Sequence, residues 1–121
     1  MFNNKSKPKG IKRIYLASLN SMRALSWLIK HEAAFRQELI LLAITIPITF
    51  LFDITLQEQI ILISVVLFIL FAEVVNTAIE AVVDRIGLEI HPLSGLAKDL
   101  GSLAVLLSLI IAIFIWLAIL L

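Results

Sequence analysis

Cysteine is absent from this 121-residue chain, which excludes disulfides, thiolate nucleophiles and cysteine-held metals or clusters. Charge is scarce, with 16% of residues Asp, Glu, Lys or Arg against roughly 25% in ordinary globular domains. The four glycines, Gly10, Gly87, Gly95 and Gly101, fit neither G-x-x-x-x-G-K-[ST] nor G-x-G-x-x-G, so the two common glycine-rich phosphate loops are excluded. What is there instead is apolar. A hydrophobic content of 61% and a mean hydropathy of +1.07 exceed what a core of this size could hide, so the excess must face lipid.

The basic residues are unevenly placed: eight of the ten Lys and Arg precede residue 40, and the others are Arg85 and Lys98. That asymmetry encodes membrane topology and offers no surface for nucleic acid. Residues 1–10 read as a mobile polar tail with nothing resembling a cleavable leader. Over residues 11–30, Ile11, Ile14, Tyr15, Met22, Leu25 and Ile29 share one helical face beside Lys12, Arg13, Arg23 and Lys30. This pattern predicts an amphipathic helix lying on an anionic leaflet. Residues 31–121 then form a three-span membrane domain, with spans at about 33–52, 58–85 and 96–121. The 53–59 turn holds Asp53 and Glu58 but no basic residue, so it is expected outside. The amino terminus and the 85–98 connection are expected in the cytoplasm and the carboxyl terminus in the periplasm. Pro47 is expected to kink the first span.

At 100° per residue, Glu73, Asn76, Thr77, Glu80 and Asp84 fall within an arc of about 100° on the second span. A carboxylate at membrane depth costs at least ~2.5 kcal/mol, so such a stripe calls for a cation, a partner or water. More polar groups collect at the same level: Glu32 and Glu38 beside Arg36, then Glu89, His91, Lys98 and Asp99. Hard cations such as Mg²⁺ bind through one or two carboxylates plus substrate phosphates, so this composition predicts a metal-nucleotide site. Lys98 is a candidate for neutralising phosphate, with Asp99 orienting it from the first turn or so of the third span. The plainer readings are a structural polar seam between helices for the stripe and interfacial snorkelling for Lys98.

Three runs carry a resemblance. Ala33-Ala-Phe-Arg-Gln-Glu38, Glu73-Val-Val-Asn76-Thr-Ala-Ile-Glu80-Ala-Val-Val-Asp84-Arg85-Ile-Gly87 and Glu89-Ile-His91-Pro-Leu-Ser-Gly-Leu-Ala-Lys98-Asp99-Leu-Gly101-Ser102 closely resemble prokaryotic diacylglycerol kinases, from about Arg13 onward. The resemblance implies an all-α, integral-membrane homotrimer of the bacterial inner membrane, using Mg-ATP to phosphorylate diacylglycerol at sites shared between subunits. Matched by position, Glu73 falls on the catalytic base, with Asn76, Lys98 and Asp99 beside it in the active site. Glu32 and Glu80 fall on metal and nucleotide ligands, and Glu89, Ile90 and His91 on the nucleotide-binding loop. Arg13, Glu38, Glu73 and Ser102 fall near the lipid. Pro92 is more typical of undecaprenol kinases, whereas Asp84-Arg85-Ile86-Gly87 and Ser94-Gly95 match the diacylglycerol branch, so two acceptor lipids stay open. Asn20 stands where the diacylglycerol enzymes tend to carry an aromatic residue, and no role is transferred to it. A small cation transporter would need ionisable groups through the full membrane depth, and the outer halves of the spans lack them beyond the 53–59 turn.

Overall fold

A computed structural model describes residues 9–121. Residues 1–8, most of the tail expected to be mobile, lie outside the described residues. Four helices follow in order: α1 (Ile11–His31), α2 (Ala33–Thr49), α3 (Leu56–Ile86) and α4 (Pro92–Leu120). No strand occurs among the described residues. Contacts divide the chain into one unit ending at Arg36 and another running from Gln37 to the carboxyl terminus.

The first unit is built on α1, which opens at Gly10 with φ of 66°, a left-handed conformation that glycine adopts without strain. Its polar groups are satisfied locally: the Ser18 and Ser21 hydroxyls donate to the carbonyls of Ile14 and Ala17, each at 2.9 Å. At the other end, Lys30 and His31 occupy the last turn, where the helix dipole favours cations. The Arg36 guanidinium donates to the Ile29 and Lys30 carbonyls at 2.9 and 3.3 Å, serving otherwise orphaned acceptors. Ile11, Ile14, Tyr15 and Met22 are exposed, so the apolar face read from the sequence has no cover in this unit.

In the second unit α2 ends soon after Pro47. Proline gives no N–H to the ladder, and the chain tightens into short-range bonds from Phe50 N to Pro47 O and from Leu51 N to Ile48 O. Pro47 thus lies two residues before the end of α2, which stops at Thr49 where the first span was expected to reach about 52. The Gln59 amide nitrogen donates to the Thr49 hydroxyl at 2.9 Å, tying the end of α2 to the start of α3. There Thr55 and Glu58 form a capping box, with reciprocal bonds of 3.1 and 3.0 Å.

Helices α3 and α4 are antiparallel, and three cross-pairs fix their register: Leu62 with Trp116, Asn76 with Gly101, and Asp84 with Lys98. The face of α4 turned inward is small, with Gly101, Ser108 and Ala112 buried, while α3 contributes the larger Leu62, Val66, Ile69 and Leu70. Small residues let helix backbones approach closely where lipid offers no hydrophobic drive. The connection spans only residues 87–91, so the 85–98 loop expected from hydropathy is mostly helical.

Among the described residues, only α3 and α4 are both long and apolar enough to cross a membrane by length and composition; at 1.5 Å per residue each is over roughly 43 Å long. Helix α2, with 17 residues and with Arg36, Gln37 and Glu38 near its start, reaches roughly 25 Å.

Candidate active site

The acidic stripe occupies the carboxyl-terminal half of α3. Glu73, Asn76, Thr77 and Glu80 are half-buried and Asp84 is exposed, a gradient running toward the 87–91 connection. Glu38, on α2, lies within electrostatic reach of Glu73. Its Oε2 is buried and has no hydrogen-bond partner among the described residues, and the same holds for Oδ1 of Asn76. Buried polar atoms are nearly always paired, so each of these orphans is a point left open to a ligand or water.

A cleft of about 270 Å³ lies at the end of the stripe, lined by Asp84, Glu89, Ile90, His91, Ser94 and Lys98 among others. Lys98 Nζ is 2.9 Å from Asp84 Oδ1, and Glu80 adds a further attraction. Both side chains are about half exposed, at 45% and 51%, so solvent screens the pair and it holds the helices only weakly. An anionic ligand can draw Lys98 away at small cost. Asp99 is not its partner: it sits about 100° farther around α4, whereas Asp84 faces Lys98 across the helix pair. Because α4 begins at Pro92, Lys98 and Asp99 stand in its second turn, beyond the first-turn position expected for them.

His91 caps α4. Its Nδ1 accepts the Leu93 N–H at 3.1 Å, which places the ring proton of the neutral form on Nε2. Pro92 occupies the first helical position, where its missing N–H is harmless. Glu89 turns back over Gly87, where an added Cβ would stand 2.9 Å from both carboxylate oxygens. Ile90 is fully exposed in the connection, and Asp99 and Ser102 are exposed on α4.

Two predicted site residues belong to the first unit. Arg13 is exposed on α1 and lines a groove along that helix with Ile14, Ser18 and Met22. Glu32 caps the carboxyl end of α1, its N–H donating to Leu28 O at 2.9 Å. No group of three His, Asp or Glu is gathered into a cation cage among the described residues. Mg²⁺ does not require one, since it binds through one or two carboxylates and keeps its other positions for water and phosphate oxygens. Glu80, half-buried one turn before the cleft-lining Asp84, could serve as one such carboxylate.

Sequence reasoning missed two partners. The Lys98–Asp84 pair leaves no local signal, because it depends on the α3–α4 register. Gly101 against Asn76 did leave one: an isolated glycine in an apolar span marks close helix approach.

Two long apolar helices with exposed apolar faces, the first carrying Glu73, Glu80 and Asp84 along its carboxyl-terminal half, fit a membrane protein with a polar site near that half. The model of the prokaryotic diacylglycerol kinase family matches residues 19–120, and the chain belongs to this family and is a kinase. The diacylglycerol kinase of Escherichia coli strain K12 is 44% identical over 109 residues, 88% of each chain. That of Pseudomonas aeruginosa is 44% identical over 112 residues, 93% of this chain and 91% of the relative. The Helicobacter pylori enzyme of strain J99 is 37% identical over 110 residues, 91% of this chain and 86% of the relative. Arg13 lies outside the family match.

Proposed function

We propose that this chain transfers the γ-phosphate of Mg-ATP to the free hydroxyl of diacylglycerol, giving phosphatidic acid and ADP, as a three-span homotrimer of the bacterial inner membrane with its active sites on the cytoplasmic side. The observation that carries the reading is the half-buried Glu73-Asn76-Glu80 stripe leading to a cleft where Lys98 is held only by an exposed carboxylate. Relatives named diacylglycerol kinase support the acceptor.

Phosphoryl transfer asks a protein chiefly for positioning and charge neutralisation. Glu73 accepts the proton of the lipid hydroxyl, whose oxygen forms the new bond to the γ-phosphorus as the bond to the ADP oxygen breaks. Lys98 leaves Asp84 for the phosphates, and its ammonium offsets their charge. Asn76 orients the reacting groups from between Glu73 and Glu80. Glu80, with Glu32 supplied by a neighbouring subunit, would hold Mg²⁺, which neutralises charge developing on the phosphate oxygens. Glu89, Ile90 and His91 border the nucleotide. Arg13, Glu38 and Ser102 flank the lipid, which the amphipathic α1 retains at the interface.

The test is transfer of labelled phosphate from ATP into a lipid extract by the purified protein, with the product identified by mass spectrometry. Phosphatidic acid is expected. Undecaprenyl phosphate as the sole product would reassign the acceptor, and no lipid product would overturn the kinase reading.

A further inference from the structure

We propose that Gly101 is a positioning residue for phosphoryl transfer: its bare backbone sets the orientation of the Asn76 side chain. Gly101 is buried where α3 and α4 meet. A Cβ built on it would overlap Oδ1 of Asn76 and touch Ile79 Cδ1 at 3.5 Å. The obstructed atom belongs to a side chain and not to the backbone of α3. A methyl group at this position therefore displaces the Asn76 amide before it separates the helices. Gly95, on the same helix, has nothing within 4 Å of its own added Cβ, so the constraint belongs to Gly101 and not to glycine in α4 generally.

Oδ1 of Asn76 is not drawn into place by a bond of its own, since it is buried with no hydrogen-bond partner among the described residues. It is placed by shape. A buried amide serving the fold alone would ordinarily have found a donor. An acceptor held unpaired on α3 between Glu73 and Glu80, against a glycine one turn of α4 beyond Lys98, is left for a donor from substrate or from water ordered there. Gly101 supplies the wall that keeps it so.

The inference rests on Asn76 belonging to the transfer site. Its test is a double-mutant cycle on the purified, assembled protein, with kcat and the apparent KM for Mg-ATP measured separately. Gly101→Ala is expected to lower kcat at least about tenfold while moving KM less than about threefold, as loss of an interaction made in the transition state does. In an Asn76→Ala background the same substitution is expected to change kcat less than about twofold, because the displaced atom is gone. Gly95→Ala is the control, with equal effects in both backgrounds. Equal losses from Gly101→Ala in the two backgrounds, or undiminished kcat in the single variant, overturn the proposal. Should Gly101→Ala fail to assemble, adding Asn76→Ala is expected to restore assembly, and failure of that rescue also overturns it. A wild-type protein that transfers no phosphate would defeat the kinase reading instead. Positioning is then decided by the Asn76 side-chain amide resonance, which must shift in Gly101→Ala and stay in place in Gly95→Ala; an unmoved resonance overturns it.

Discussion

Glu73 stands deepest on the polar stripe, half-buried, with Glu38 as an electrostatic neighbour. Glu73→Gln preserves its shape and removes the capacity to take a proton. The variant is expected to assemble and bind Mg-ATP normally but transfer phosphate at least ~100-fold more slowly, the usual consequence of losing a general base. Wild-type turnover by purified Glu73→Gln would remove it from the mechanism. Lys98 tests the other end of the stripe. Lys98→Met keeps the aliphatic stem and deletes the charge. Because the bond to Asp84 is solvent-exposed, the melting temperature should barely change. The apparent KM for ATP should rise or kcat fall, with Mg²⁺ stoichiometry unaltered, as measured in the labelled-ATP assay. Unchanged ATP kinetics would leave Lys98 a snorkelling side chain.

Helices rather than side chains decide where the stripe sits in the membrane, and their ends are set by a few local bonds. The Thr55–Glu58 box starts α3 after the turn that follows α2, so Thr55→Ala removes one partner of an otherwise orphaned N–H. It is expected to reduce unfolding stability by about 1 kcal/mol, with kcat unchanged, as read by denaturant titration beside an activity assay. A loss of activity without loss of stability would mean that this turn communicates with the site. The sequence disclosed α1 nearly to the residue, because its polar and apolar faces repeat at the helical period right to the breaks at Gly10 and Glu32. It was less informative about α4, expected from 96 and found from Pro92. Hydropathy marks where a helix enters lipid, whereas the backbone turns helical earlier, at a His91-Pro92 cap that is polar and partly basic. The polar stripe was legible because one helix sets its own periodicity. The partners Asp84 with Lys98 and Asn76 with Gly101 were not, because they require the offset between two antiparallel helices, which no single periodicity contains.

At the scale of the molecule, large apolar side chains such as Phe71, Phe114 and Leu117 remain exposed on α3 and α4, at 61%, 68% and 51%. Lipid or further copies of the chain must cover them. The acidic stripe needs more than lipid, since carboxylates facing hydrocarbon are costly and α4 of the same chain meets the stripe at Asn76 and Asp84. Association that sets this stripe against the amino-terminal segment of another subunit would shield Glu73 and Glu80 and bring Glu32 to the nucleotide. On this arrangement, a subunit carrying Glu32→Gln and one carrying Glu73→Gln damage different halves of a site. Each variant assembled alone should be nearly inactive. In a mixed trimer some interfaces would join the intact amino-terminal half of one subunit to the intact stripe of another. Mixing the two purified variants, with subunit exchange verified by a tag on one of them, should therefore recover a measurable fraction of wild-type phosphate transfer. Activity that stays at the level of the separate variants after verified exchange would confine each site to a single chain and overturn the shared-site arrangement.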